Sequence, residues 1–417
     1  MKNLDENLIK AILDGKIKAI TSIYENKTPI INEERTIYFP NEKAACVIQL
    51  KEYHVIPFKE MTEELAKLEG YNLEKWRAKY LSIFESIDPT FEPNKKIIVE
   101  VFEVVKNLVV ERLELGKNIA LANIDIFSTV EKIKEIDSNI NNIIFEVNDQ
   151  YIIKICLNHF LEEKIKNEIE FYQLNKNSEI IPKLYRYDIS KFKFDYMYEI
   201  LENIPGKSLY FSWSKMNEDE REKTIQKLVL ALKSIHHIDV KPINSWSSKI
   251  KNEVKNKAIE YKSLFNQEDY LLILESLKLY DICLSDNHFT YIHNNLQFNN
   301  IIYNNGSLKL IDFKDALVAP IDFEFRKLYI TQEEPWRYNN SLIENTEIYQ
   351  NIFNYIKKYY KELGNIKYLD LRMLIYTVYE DMKLLDKYQT KELINNIIKN
   401  TQKLINLSKT EIDSNAR

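Results

Sequence analysis

The sequence predicts an α+β protein of two or three domains, on three observations. At 417 residues the chain is longer than one core ordinarily serves. Strand-patterned segments crowd its first 157 residues, whereas the pattern after about residue 206 is mostly helical. Hydrophobic residues make up 45%, enough for folded, globular units.

The elements follow in chain order. Residues 45–56 (ACVIQLKEYHVI) and 96–105 (KIIVEVFEVV) read as strands around a helical insert, MTEELAKLEG, at 61–70. Thr62 can cap that helix, Glu63 and Glu64 suit the positive end of its dipole, and Gly70 stops it. A helical segment at 107–121 leads to TVEKIKEI, NIIFEV and QYIIKICL within 129–157, an antiparallel meander whose last hairpin turns at Asn148-Asp149. The helix LEEKIKNEIEFYQL follows directly. Asn217 with Glu220 forms a capping-box pattern, and Ile225, Leu228, Val229, Leu232 and Ile235 continue it at helical spacing. Three more helices finish the chain within 348–405, and residues 409–417 are polar enough to fray.

Lys+Arg 58 against Asp+Glu 63 gives a net charge of -5, a mixed surface that removes the whole-chain argument for tight nucleic-acid binding while allowing a local basic patch. Cys46, Cys156 and Cys283 fit neither a zinc pair nor a disulfide framework, so a reducing cytoplasm is the expected setting. No secretory apolar region and no stretch of ~18 apolar residues is present, so no membrane partner is expected. Abundant Lys, Asn and Ile point to an AT-rich bacterial genome.

The chemistry concentrates in FTYIHNNLQFNNIIYNNGSLKLIDF, residues 289–313. Asn300 and Asp312 are hard oxygen ligands suited to Mg²⁺, and Asn305-Gly306 between them turns a hairpin that brings both to one cleft. The segment resembles the loop H-x-D-L-x-x-x-N-I and the following I-D-F of aminoglycoside phosphotransferases and choline kinases at His293, Leu296, Asn300, Ile301, Ile311, Asp312 and Phe313. That resemblance implies a bilobal protein-kinase-like fold, with a helical linker at 108–125, a small lobe at 126–205 and a helical large lobe at 206–417. It implies Mg²⁺-dependent transfer of the γ-phosphoryl of ATP or GTP to a small-molecule hydroxyl, on a cationic amine or a sugar. Lys154 and Glu168 then pair over the donor phosphates, Glu199 sits in the hinge, and Ser138, Asn139 and Asn142 line a phosphate-covering loop that here lacks glycine. Trp213, Trp246, Trp336 and Tyr338 are candidate acceptor-site aromatics. Downstream, Asp322 and Glu324 resemble the acidic segment after the metal loop; read by themselves they are acidic residues at a helix N-terminus.

His293 and Asn295 are the catalytic candidates of the loop, and the Asp of the pattern falls on Asn295. An amide has almost no basicity, and a positioned base contributes roughly 10² to 10⁴ in rate. Three readings follow: a natural pseudokinase, an enzyme whose base has been exchanged for Asn, and a one-residue displacement that His293, Leu296 and Asn300 speak against. On the second, Asn295→Asp is expected to raise turnover.

Residues 12–24 (ILDGKIKAITSIY), 55–77 (ending LAKLEGYNLEKWR) and 97–105 resemble an ASCH domain, a small β-barrel of the PUA-like kind, expected at 1–107. This resemblance implies contact with RNA or a modified nucleoside, with Lys16, Lys18, Thr21, Glu69 and Arg77 as site residues. Arg35 and Lys43 are further cations that can meet phosphate. The alternative function is therefore a nucleotide-sensing pseudokinase fused to an RNA- or nucleoside-binding ASCH module, and a third is hydrolysis at the ASCH site.

Overall fold

A four-stranded and a five-stranded sheet organise the first part of the chain, and a largely helical body carries the rest. The computed structural model describes residues 4–40, 43–138, 141–236, 245–285, 288–338 and 345–415. The chain divides into two units, Met1–Glu162 with Tyr185–Leu201, and Glu163–Leu184 with Glu202–Arg417.

In the first unit, α1 (Glu6–Leu13) starts at Asp5, whose side chain accepts from the Leu8 N–H. Strands β1 (Ala19–Ile23), β2 (Glu34–Tyr38), β3 (Ala44–Pro57) and β4 (Lys96–Asn107) form an antiparallel sheet in the order β1-β4-β3-β2. Among the described residues the expected barrel takes the form of this open four-stranded sheet. Helix α2 (Glu63–Leu68) is capped by Thr62 and followed by Gly70 at φ +80°, where a Cβ is disfavoured. Asn72 caps α3 (Leu73–Ile87). One core gathers Phe58, Trp76, Phe84 and Phe91 with Ala19, Ile97 and Val99; another gathers Ile9, Ile12, Ile37, Ile48 and Phe102. Both bury aromatic or branched side chains of alternate strand positions, the usual source of sheet stability.

The segment expected as a linker is part of a core. Helix α4 (Leu108–Ala122) and the short α5 (Ile124–Phe127) contribute Ile119, Ala120 and Phe127 to a cluster with Ile143, Phe145, Val147, Ile153, Ile155, Tyr198 and Ile200. Those residues lie on the second sheet, made of β5 (Ile133–Ser138), β6 (Asn142–Val147), β7 (Tyr151–Cys156), β8 (Leu184–Asp188) and β9 (Met197–Glu202) in the order β5-β6-β7-β9-β8. Along β6 burial alternates strictly, so Ile143, Phe145 and Val147 face α4 while their neighbours do not. Asn148 at φ +53° and Asp149 at φ +57° make the hairpin turn to β7. Arg112 of α4 donates to the Ala44 carbonyl at 2.6 Å and meets Glu135 of β5 at 3.4 Å; Lys43 also pairs with Glu135.

The second unit opens with α6 (Glu162–Leu174), though its first residue belongs to the other unit. β10 (Lys207–Ser208), β12 (Ile301–Asn304) and β13 (Ser307–Leu310) form one small sheet, and β11 (Phe289–Ile292) pairs with β14 (Leu317–Pro320) in another. Asn305 and Gly306, at φ +46° and +86°, close the β12–β13 hairpin. The helices are α7 (Leu209–Trp213), α8 (Glu218–Ile235), α9 (Trp246–Glu260), α10 (Gln267–Cys283), α11 (Arg326–Glu333), α12 (Ile352–Tyr359), α13 (Leu369–Leu384) and α14 (Lys391–Asn415). Asn217 and Glu220 make the reciprocal capping box of α8. Helix α13 is buried from Leu371 to Met382 and forms the axis of this body. Helix α14 runs through most of the tail expected to fray. No helix among the described residues is long and apolar enough to cross a membrane.

Gly116 shows how tightly α4 seats on the second sheet, since a Cβ there would lie 2.6 to 2.8 Å from Phe145 ring atoms. Gly116→Val is expected to destabilise the protein by ~1–3 kcal/mol through overpacking. Thermal or urea unfolding measures this, and a wild-type midpoint would show that α4 is not held there.

Candidate active site

In the second unit, the loop between β11 and β12 is shaped by backbone donors that need buried acceptors. Glu324, wholly buried in the 3₁₀ turn Ile321–Phe325, accepts the N–H of His293 at 2.6 Å and of Asn294 at 3.1 Å. His236 approaches the same carboxylate with Nε2 at 3.3 Å. Burial alone raises such a carboxyl, but the bonds from His236 and from the His293 backbone N–H outweigh it and hold Glu324 below its ordinary range. Asn294 takes φ +63° there; its side chain accepts from Arg326 and donates to the Asp315 carbonyl. Arg326, itself buried, also bonds the Asn294 carbonyl and Glu380.

His293 is buried and uses both ring nitrogens on backbone. Its Nδ1 accepts the Asn295 N–H at 3.2 Å, so Nε2 carries the hydrogen and donates to the Ile311 carbonyl at 2.9 Å. The ring therefore ties the loop to the strand end that precedes Asp312. Asn300 donates its amide to the Asn295 carbonyl at 2.9 Å, which leaves its oxygen as the atom that can bind a cation.

Asp312 lies at φ +69°, and its two carboxylate oxygens are 2.9 and 2.8 Å from Lys314 Nζ. Helix α6 braces this turn: Glu168 accepts the Phe313 N–H at 3.0 Å, Phe171 stacks on Phe313 at 4.1 Å, and Asn167 bonds the carbonyls of Lys314 and Ala316. Asn300 and Asp312 together offer an amide oxygen and a carboxylate, a donor set that fits Mg²⁺ completed by phosphate and water. Among the described residues no cluster of three or more His, Cys, Asp or Glu is placed to hold a metal unaided.

In the first unit, Lys154 of β7 is buried, with Nζ 3.7 Å from Glu199 of β9. Ser138 ends β5 opposite Ile143, and Asn142 begins β6 opposite Cys156. Asn139 lies outside the described residues. Asn141, just before β6, accepts from Leu157 N–H and from Asn158 Nδ2.

The five N-terminal site residues separate into two groups. Thr21 and Glu69 meet: the Thr21 hydroxyl donates to the buried Glu69 carboxylate, as do Tyr80 OH and, at 3.1 Å, Trp76 Nε1. Burial raises the Glu69 carboxyl above its ordinary range against the opposing effect of these bonds. Thr21 and Tyr80 line a cleft of ≈ 1000 Å³ shared with Tyr24, Lys27, Arg35 and Glu100. Lys16 is exposed and paired with Asp14, Lys18 is exposed, and Arg77 caps carbonyls of Lys59 and Met61. The side-chain bonds to Glu69 described above come from Thr21, Trp76 and Tyr80 and from none of these three.

Trp213 and Trp246 are core, packed on Phe298 and Phe323 respectively, while Trp336 is half exposed. Asp322 is buried and bidentate with Arg372 at 2.6 and 2.8 Å, so the acidic pair 322 and 324 is internal bracing and not a solvated helix start. The residue that sequence reasoning missed is Lys327 on α11, whose Nζ donates to Asn295 Oδ1 at 2.6 Å. Burial pushes that lysine down to about 8.

Comparison with known proteins agrees with this architecture. Residues 1–106 match the family model of the ASCH domain, and residues 132–347 match that of the phosphotransferase enzyme family. Among solved structures, the streptomycin-ATP-APH(2")-IIa ternary complex is similar at a TM-score of 0.52 and 19% identity, over 70% of this chain and 95% of that one. ADP-bound aminoglycoside phosphotransferase APH(2'')-Ib gives 0.50 and 19%, over 68% and 95%. The GDP complex of wild-type aminoglycoside 2'-phosphotransferase-IIIa gives 0.54 and 13%, over 70% and 97%. No curated protein matches.

Two outcomes test this reading of the two carboxylates. Glu324→Ala leaves two loop N–H groups and His236 without their acceptor and is expected to cost ~3–5 kcal/mol in urea unfolding; a loss under ~1 kcal/mol would remove its bracing role. Folding favours protonated Glu69, so its contribution is full below the ordinary carboxyl range, about 4.3, and is lost as pH rises through its raised value. Glu69→Gln is therefore expected to flatten the dependence of melting temperature on pH above the ordinary carboxyl range. Parallel curves for the two proteins would refute the buried, protonation-favouring environment.

Proposed function

The chain belongs to the phosphotransferase enzyme family, and we propose that it transfers the γ-phosphoryl of ATP or GTP to a hydroxyl of a small molecule. The observation that carries this reading is the bracing of Asn295, Asn300 and Asp312 on two adjacent segments by His293, Glu324 and Glu168. Such bracing is what positioning catalysis requires, since phosphoryl transfer leaves the protein mainly orientation and charge to supply.

In this reading Asn300 and Asp312 would hold Mg²⁺, whose charge would offset that of the transferring group. In this reading Lys154, Glu168, Ser138, Asn139 and Asn142 serve the nucleotide, and Glu199 belongs to the hinge. His293 is a positioning residue, because both nitrogens are spent on backbone. The acceptor class is a cationic amine or a sugar, a reading supported by the streptomycin in the complex of a neighbour of the same fold. Cys46, Cys156 and Cys283 are buried free thiols, which suits a reducing cytoplasm. The boundaries that go with this reading are 1–107 for a PUA-like ASCH module, 108–125 for the connecting helix, and 126–205 and 206–417 for the two kinase-like lobes.

A second reading, a nucleotide sensor joined to an RNA- or nucleoside-binding module, is favoured by Asn295 and by the cleft beside Thr21. The two readings separate in one series. Mg²⁺ with ATP or GTP is expected to raise the melting temperature, by mass action on the native state, and Asp312→Asn to remove the metal-dependent part. Release of nucleoside diphosphate then marks an enzyme and its absence a sensor; no shift with either nucleotide would defeat both.

A further inference from the structure

The position where the family pattern calls for an acidic base holds an amide, yet it is not chemically empty. Lys327 Nζ reaches Asn295 Oδ1 at 2.6 Å from the first turn of α11. Tyr338 lies beside it, its ring centroid 5.5 Å from Nζ. The charged groups facing this nitrogen are Arg326 on the same helix, Glu380 and Lys383 on α13, and Asp315 after the Asp312 turn. Two of these are cationic and two anionic, so no single partner imposes the ammonium form.

We propose that Lys327 is the general base of the transfer, with Asn295 as its orienting partner. This rests on the phosphotransfer reading of the same site. In the neutral amine one N–H is given to Asn295 Oδ1 and the lone pair remains to take a proton. The acceptor hydroxyl oxygen forms a bond to the γ-phosphorus as the bond from that phosphorus to the β,γ-bridging oxygen breaks. The bridging electron pair leaves with the nucleoside diphosphate, and the hydroxyl proton moves to Nζ, giving an ammonium that later loses it to water. Burial holds this lysine at about 8, where a useful fraction is neutral in a near-neutral cell.

Asn295 and Lys327 are then a matched pair. An aspartate at 295 would sit 2.6 Å from the lysine, stabilise its ammonium form, and cancel both groups as bases. Asn295→Asp, which looks restorative from sequence alone, is therefore expected to lower turnover. Removing the lysine as well leaves the carboxylate free to act.

The test follows diphosphate release from Mg·ATP and Mg·GTP, with water alone and with kanamycin as acceptor probe, between about pH 6 and about 10. The native chain is expected to speed up as pH rises through about 8. Lys327→Met and Lys327→Arg are expected to lose ~10² to 10⁴ in rate. Asn295→Asp should lose rate with its rising limb moved to higher pH, and the double variant Asn295→Asp/Lys327→Met should recover part of it. Should Lys327→Met fail to fold, the native profile and the Asn295→Asp arm still decide. A native rate that is flat or falls through this range, or full activity of Lys327→Arg, overturns the base assignment and makes the lysine a phosphate clamp or a brace. Absence of release in every variant, with Mg²⁺-dependent nucleotide stabilisation intact, instead overturns phosphotransfer itself and the base with it.

Discussion

A single buried carboxylate sets the geometry on which the rest of the site depends. Glu324 has no access to water and meets two consecutive backbone N–H groups of the loop together with His236. Charge-assisted bonds of this kind are short and directional, and an unpaired buried charge is costly, so the loop has one low-energy path past it. Asn294 accordingly adopts a left-handed conformation that asparagine tolerates better than most residues. Everything downstream, from the tautomer of His293 to the amide of Asn300, is referenced to that path.

Bracing also explains why the segments that carry chemistry are not themselves the stable part. The loop and the Asp312 turn contribute few apolar contacts of their own beyond Leu296, Phe298 and Phe313, which are buried. Their order comes from α6 on one side, through Glu168, Asn167 and Phe171, and from the Ile321–Phe325 turn on the other. Arg372 and Arg326 then anchor that turn to α13 through Asp322 and Glu380. The helical body thus supplies orientation to residues whose side chains must stay available.

The features that could be read from sequence are those whose physics is local. The hairpin turns at Asn148-Asp149 and Asn305-Gly306 and the capping box at Asn217 and Glu220 depend on contacts within a few residues, and each is found where spacing put it. Site residues that share one segment, such as His293 and Asn300, come together for the same reason. The roles of Asp322 and Glu324 were hidden because their partners, Arg372 and His236, are 50 and 88 residues away. Lys327 was hidden likewise: an Arg-Lys pair opening a helix reads as solvated surface until Asn295, 32 residues back, is seen against it. In the N-terminal module Thr21 and Glu69, 48 residues apart, are hydrogen-bonded, whereas Lys16 pairs with Asp14 and Arg77 caps backbone carbonyls.

The burial of α4 has a bearing on where the chain can be divided. A flexible tether lets fused modules be exchanged, shortened or lost without harm to either, because no side chain on it is needed by both. Here Arg112 bonds strand β3 and meets Glu135 of β5, while Gly116 and Ile119 press against the second sheet. Substitutions in either sheet are therefore felt through the same helix. A cut at residue 107 would therefore strip β3 of its Arg112 bond and Glu135 of its Lys43 partner, while α4 would stay with the second sheet.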